Sequence, residues 1–388
     1  MSDRPPSAKR GYEEGRYVQH AESLEGLSRR TRRRRLIPRA GWDFSSNDYL
    51  GLASSPELRA ALERSLIDGV GVGSGGSRLL RGNDPEHEAL EAEAASFFGA
   101  QSSLYFASGF AANNAIFATL PQRGDLIVHD ELIHASVHDG LRMTRGEARM
   151  GRHNDPQAFD DVIASWRSAG GRGRVWMSLE SLYSMDGDAA PLAAFVEVAE
   201  RHEATLVIDE AHATGVLGPE GRGLAAHLEG RHDVITLHTC GKALGLMGGL
   251  VCGPRLLMDF LVNRCRPFIY STAPSPLMAA GVRAALRIVQ GSERRMRHKE
   301  LVAHAGRVLS DACDIVPTGT HIQPVILGQD ARALQVAERL QLGGFDVRAI
   351  RPPTVPEGTS RLRISLTLNV TAAAVDDLAA ALRGSLDG

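Results

Sequence analysis

Cysteine is scarce in this chain, with four in 388 residues. Cys240, Cys252, Cys265 and Cys313 show no metal-ligand spacing and no disulfide framework, so no metal site is expected and the thiols read as reduced. An excess of charge is also missing: the formal net charge is -2, which gives no electrostatic reason to bind nucleic acid or a membrane surface. No apolar run reaches membrane-spanning length and no N-terminal signal pattern stands out, so a cytoplasmic protein without membrane or nucleic-acid partners is expected. Internal repeats and low-complexity linkers are lacking too. What is present is a globular composition, 43% hydrophobic and 23% charged, on a chain long enough for a large core in two or more lobes.

The first forty residues differ from the rest. They carry 11 Lys or Arg against 5 Asp or Glu, with Arg32 to Arg35 consecutive. The remainder is net acidic, so this segment reads as a basic arm (1–43) that packs on the body or on a partner subunit, with one arginine available to an anionic substrate. From about residue 44 short apolar runs alternate with amphipathic stretches. Leu104–Phe106, Leu126–Val128, Val175–Leu179, Thr205–Asp209, Val234–Leu237 and Gly249–Cys252 read as strands, and Leu192–His202 as a helix. The strand runs are continuously apolar, the pattern of strands covered on both faces. An α/β architecture with a mostly parallel central sheet follows, and ligands are expected beyond the carboxyl ends of its strands. After Pro274 and Pro276 the pattern changes to helices at roughly 277–290 and 293–312. Strands at Ile322–Leu327, Val347–Ile350 and Leu362–Leu366 follow, with a helix at Ala331–Leu342 and another from Thr371. The expected division is a large domain at 44–280 and a smaller α+β domain at 281–388.

Four features fall at these strand ends. Ser108-Gly109-Phe110-Ala111 is a strand-to-helix turn whose free N–H groups suit a phosphate, although an ordinary N-cap serine explains it equally well. His134 offers a flat ring for stacking on an aromatic cofactor, although a single histidine is ordinarily structural. Asp209 closes a buried strand, where a carboxylate needs a cationic partner or a capping role. Lys242 follows another apolar strand and sits among small residues with no obvious route to solvent, a costly place for an ammonium, although on this run alone a surface lysine just past a strand is the plainer reading. Condensation with an aldehyde removes that cost, and pyridoxal phosphate (PLP) supplies one. Asp209 would then face the pyridinium nitrogen, His212 the phenolic oxygen, and Thr239 the phosphate.

The motif runs, taken together, resemble those of the α-oxoamine synthases, PLP enzymes of fold type I, the aspartate aminotransferase-like fold. The matching runs are Phe44 to Leu52, Gly73 to Arg78, Ser108 to Asn113, Ser184 to Asp188, Asp209 to His212, Thr239 to Lys242, Ile269 to Thr272 and Arg351 to Pro356, in order from about residue 44 to the end. The resemblance implies that Lys242 is the Schiff-base lysine, Asp209 the acid on the ring nitrogen, His212 the partner of the phenolic oxygen and His134 the stacking residue. Gly109, Phe110, Ser184 and Thr239 match cofactor contacts. Ser271 and Thr272 match a segment that reaches the phosphate of the neighbouring subunit, which implies a homodimer with shared active sites. Arg363 matches the arginine that holds the amino-acid carboxylate, and Asn47 and Thr354 match substrate contacts. The catalytic set is therefore Lys242, His134 and Asp209.

Within the family, the Arg351 to Pro356 run and Gly75-Gly76-Ser77 are most similar to members that condense L-alanine with a pimeloyl thioester, on CoA or a carrier protein. Glycine-using members and members with other acyl chains are the alternative. The departure is at the N-terminus, where only Leu36 to Trp42 separates the arginine run from Asp43. No arginine among Arg29 to Arg35 can be matched from sequence to the far end of the acyl chain.

Overall fold

The computed structural model describes residues 15–387, and the part of the basic arm at 1–14 lies outside them. The strands, in chain order, are β1 (Trp42–Asp43), β2 (Ser102–Phe106), β3 (Leu126–Asp130), β4 (Glu147–Gly151), β5 (Val175–Glu180), β6 (Thr205–Asp209), β7 (Val234–Thr239), β8 (Gly249–Gly253), β9 (Ile322–Gly328), β10 (Phe345–Asp346), β11 (Arg348–Ile350) and β12 (Ser360–Ser365).

A seven-stranded sheet runs β2-β8-β7-β6-β5-β3-β4. Its neighbours are parallel except at β8, which is antiparallel to both β2 and β7. Strands β3, β5, β7 and β8 are buried along their whole length, as continuous apolar runs require. The sequence did not reveal β4. It is the edge strand, largely exposed and reading Glu-Ala-Arg-Met-Gly, so no buried face imposes an apolar pattern on it. One face of the sheet is covered by the helices Pro156–Ser168 and Leu192–His202 through Phe159, Ile163, Phe195 and Val198. Ile116, Val137 and Leu261 join a second cluster with Ile127, Val207 and Ile235.

Helix starts are marked by chemistry readable in the chain. Ser55, Asp84, Asp155 and Ser275 each accept a backbone N–H of the helix they open, and each is followed by proline at the first helical position. The helix Pro276–Gln290 packs its Ala279, Val282, Ala285 and Val289 into a cluster with Tyr49, Leu90 and Phe98. No helix among the described residues is long and apolar enough to cross a membrane.

A three-stranded antiparallel sheet, β11-β12-β9, forms the second centre. Alternation along β12 decides its role. Leu362, Ile364 and Leu366 enter a cluster with Leu309, Val336 and Leu378, and the intervening Arg361, Arg363 and Ser365 fall on the opposite side. That side meets the central sheet: Arg361 pairs with Asp186, and Arg363 Nε donates to the Ser184 carbonyl at 2.6 Å. The end of the arm is held differently. β1 pairs in parallel with β10, and Phe44 is part of the β12 cluster.

Candidate active site

Lys242 lies in the short connection between β7 and β8. An antiparallel neighbour can be reached by a tight return, and this one is closed by Cys240 N to Gly248 O and Gly245 N to Lys242 O, both 2.9 Å. Gly245 has φ +70°, and a Cβ there would stand 2.5 Å from Ala53 N, so only glycine lets the turn seat against the Phe44 to Leu52 segment. The lysine is half-buried rather than sealed from solvent, a correction to the expectation from sequence: its small neighbours leave it open on one side. Burial, reinforced by Arg363, lowers its pKa to about 8 against the opposing pull of Asp209 and Glu180.

The Lys242 nitrogen is 2.8 Å from His212 Nε2, and His212 Nδ1 is 2.6 Å from the Tyr49 hydroxyl. Tyr49 contacts Asn47 Oδ1 at 3.0 Å and accepts from Arg363 Nη2 at 3.3 Å. Arg363 Nη1 donates to Ser365 Oγ at 2.6 Å. Three of the five guanidinium N–H groups are thus used, and the others are left for a carboxylate. The structure therefore brings together Lys242, His212, Asn47 and Arg363, residues far apart in the chain.

Asp209 is buried at the end of β6. Its Oδ1 accepts from Ala211 N at 2.9 Å and its Oδ2 from Asn113 Nδ2 at 2.7 Å. The same amide of Asn113 donates to Ser136 Oγ at 3.0 Å, and Ser136 Oγ is 2.7 Å from His134 Nδ1. Ser136 N also donates to Nδ1, so that nitrogen is an acceptor and the ring proton of neutral His134 is on Nε2. His134 is the N-cap of the helix Ala135–Met143, so its structural reading and its placement beside Asp209 both hold. Burial and Lys242 lower its pKa, with Asp209 opposing.

Gly109 opens the helix Gly109–Thr119 behind the Ser108 cap, which accepts from Ala111 N. A Cβ on Gly109 would lie 3.1 Å from Thr239 Oγ1, so glycine keeps the helix start close to that hydroxyl. Phe110 is half-exposed beside it. Ser271 and Thr272 are exposed and line one small pocket with Ala107 and Ala111, which flank this turn. Ser184 is buried and takes part through its carbonyl. Its loop is held by His153, which bridges Asp130 and Asp188 at 2.8 Å each. Thr354 lies apart from the lysine, at the arm, where its hydroxyl accepts from Arg34 Nη2 at 3.1 Å. Neighbouring Arg32 is already neutralised by Asp330 at 2.7 Å and Glu357 at 2.5 Å.

Sequence reasoning assigned no role to Glu180, Tyr49, Asn113 or Ser136. Tyr49 and Asn113 lie inside motif runs, so the signal was present without a function. Glu180 had a signal of its own, a carboxylate ending an apolar strand. It is in register with Asp209 across β5 and β6, and among the described residues its Oε1 has no hydrogen-bond partner. Burial and then Asp209 push its pKa well above the usual carboxylate range.

These residues fit a planar, phosphorylated aldehyde. The helix start at Gly109 lies against the Thr239 hydroxyl, Asp209 is a pinned buried carboxylate and Lys242 has a lowered pKa, which are the donors, charge and amine that an anion, a protonated ring nitrogen and an aldehyde call for. The chain matches the model of the aminotransferase class I and II family over residues 40–382. It is 44% identical over 326 residues to the 8-amino-7-oxononanoate synthase of Chromobacterium violaceum, covering 84% of each chain. Among solved structures it is similar to serine palmitoyltransferase from S. paucimobilis with bound PLP and myriocin (TM-score 0.86, 25% identity, 96% of this chain and 98% of the other). It is also similar to 8-amino-7-oxononanoate synthase from Francisella tularensis (TM-score 0.75, 26% identity, 89% and 98%).

Proposed function

Because the chain belongs to the aminotransferase class I and II family and is a PLP enzyme of fold type I, we propose that it acts as an 8-amino-7-oxononanoate synthase in biotin biosynthesis. In this reading it joins L-alanine to a pimeloyl thioester, carried on CoA or a carrier protein, and releases CO2 and the free thiol. The observation that carries the reading is the hydrogen-bonded path from Lys242 through His212 and Tyr49 to Arg363, which sets a lysine amine and a carboxylate-binding arginine at one site.

PLP would be held by Lys242, Asp209, His212, His134, Ser184, Thr239 and the Gly109-Phe110 turn, and would supply an electron sink for the alanine Cα. Arg363 binds the alanine carboxylate with its remaining N–H groups and so orients the Cα–H bond. Lys242, neutral above about pH 8, takes the Cα proton on Nζ. The electron pair left on Cα forms a C–C bond with the thioester carbonyl carbon, and the thiol departs. His134 Nε2–H is a donor for that carbonyl oxygen. After CO2 is lost, Lys242 Nζ returns a proton to Cα. Asp209 would balance a positive charge on the ring nitrogen, and Asn113 fixes the orientation of that carboxylate.

The arm adds the acyl end. Arg32 is neutralised, whereas Arg34 is exposed and shares Thr354, so Arg34 is the arginine of the run assigned to the far carboxylate of the pimeloyl chain. The reading includes a cytoplasmic homodimer in which Ser271 and Thr272 serve the partner's phosphate site. Exposed Phe110, Met247 and Tyr270 beside the site support such a contact. The arm (1–43), large unit and small unit carry these roles, and since the helix Pro276–Gln290 packs whole into the large unit, the boundary expected at 280 moves to the end of that helix.

The test is an assay of L-alanine, glycine and L-serine against pimeloyl, acetyl and palmitoyl thioesters. Alanine with the pimeloyl thioester is expected to dominate, and preference for another pair refutes the assignment. Lys242→Ala should lose both the visible absorbance of the lysine–PLP adduct and turnover; retained turnover defeats the scheme.

A further inference from the structure

We propose that Tyr49 is a positioning residue through which Arg363, the carboxylate site, sets the tautomer of His212 and hence the hydrogen bond presented to the Lys242 nitrogen. The proposal rests on the cofactor reading above.

Tyr49 is 0% exposed, so its hydroxyl must find its partners inside the protein. A phenol has one proton to give. Arg363 can only donate, so its Nη2, 3.3 Å away, occupies an accepting position on the phenolic oxygen. Two acceptors then compete for the phenolic proton: Asn47 Oδ1 at 3.0 Å and His212 Nδ1 at 2.6 Å. The shorter contact assigns it to His212. Nδ1 is then unprotonated, and the single proton of the neutral ring is on Nε2, directed at Lys242 Nζ 2.8 Å away. Burial, followed by Lys242 and Arg363, keeps His212 neutral, and above about pH 8 the lysine amine is neutral and accepts.

The hydrogen bonds therefore run one way, from Arg363 N–H to the Tyr49 oxygen, from Tyr49 O–H to Nδ1, and from Nε2–H to the lysine. Donation from a cation strengthens the phenol as a donor in turn. If the phenolic proton turned to Asn47 instead, His212 would carry its proton on Nδ1 and offer Lys242 only a lone pair. Other charged or titratable groups also face this path. Lys242, Arg363, His321 and His134 face His212, and Glu180 faces Tyr49. The His321 ring packs 4.0 Å from the Tyr49 ring, and among the described residues its Nε2 makes no hydrogen bond, so it does not draw the phenolic proton away.

The holoenzyme tests this by the pH midpoint of its visible band, which follows the proton on the lysine–PLP nitrogen. In the holoenzyme Nε2–H would donate to the lysine–PLP unit, at the nitrogen or at the phenolic oxygen assigned to His212, and either bond lowers the basicity of that nitrogen, so Tyr49→Phe should raise the midpoint by about one unit. It should also raise KM for L-alanine about tenfold and leave KM for the acyl thioester unchanged, because Arg363 loses a support. Arg363→Gln should raise the midpoint in the wild-type background and by less in the Tyr49→Phe background. An unmoved midpoint in Tyr49→Phe, or strictly additive shifts, overturns the proposal. A second measurement does not depend on that variant folding. In wild-type holoenzyme labelled with 15N-histidine, the His212 signal, assigned by its loss in His212→Gln, should show the Nε2–H pattern, and an Nδ1–H pattern overturns the proposal. If the wild-type protein loaded with PLP has no visible band, the cofactor reading itself fails and this inference with it. A band that is present but indifferent to Tyr49 sinks this inference alone.

Discussion

At the carboxyl edge of the central sheet, Asp209, Glu180, Tyr49 and His212 are buried, and Asp209, Tyr49 and His212 are each held by side-chain hydrogen bonds of 2.6 to 2.8 Å. Where the arm meets the small sheet, Arg34 and Thr354 are exposed and share a single bond of 3.1 Å. The first region takes charge out of water, which is tolerable only when every group is paired or changes its protonation. The second leaves its charge in solvent, where pairing contributes little and geometry is easily altered. On the proposed function the contrast becomes a division of labour, with the bond-making groups on the buried edge and the acyl contact at an exposed arginine of an arm held by Arg32 on Asp330 and Glu357. Such an arm can be retuned toward another acyl chain without disturbing the lysine.

The comparison can be broken at several points. Asp209→Asn should have the largest effect, cutting kcat roughly 1000-fold, since it removes a preorganised charge from a buried site. A loss below tenfold in a steady-state assay would show that the ring nitrogen has another partner. PLP uptake by the cofactor-free protein, followed by visible absorbance, should be fastest above pH 8. Only the neutral amine condenses, so the rate should drop about tenfold for each pH unit below the lysine's pKa of about 8. A pH-independent rate would contradict a lowered pKa. Arg34→Ala should raise KM for the pimeloyl thioester about tenfold with KM for L-alanine unmoved; a rise in the alanine KM would dissolve the distinction between the two regions. Glu180→Gln should do least, with kcat within about threefold of wild type, because burial and Asp209 favour the uncharged form of this carboxyl, which an amide resembles. A loss comparable to that of Asp209→Asn would mean Glu180 acts as an anion.

The strand order of the sheet was not readable residue by residue, but its character was. Val175–Leu179 and Thr205–Asp209 announced themselves because strands covered on both faces are mostly apolar along their length. β4 escaped because an edge strand is free of that constraint. The two-residue β1 escaped because it is too short to carry a period. Site residues divided in the same way. Lys242 stood out because it follows an apolar strand and sits among small residues, where an ammonium is costly. Glu180 was overlooked because a second carboxylate beside Asp209 makes sense only once β5 and β6 are in register.

The sequence by itself determined the alternating α/β order and the placing of Ser108-Gly109, Asp209 and Lys242 at strand ends, since these follow from local propensity and from burial along one element. Only the tertiary structure decided that Tyr49, from the segment after β1, receives Arg363 from β12 and meets His212 from the end of β6. Likewise, only it showed that Arg32 is neutralised while Arg34 remains available. Hydrogen bonds between residues hundreds of positions apart depend on distances of a few tenths of an ångström, and those distances are set by how two sheets and their helices pack against each other.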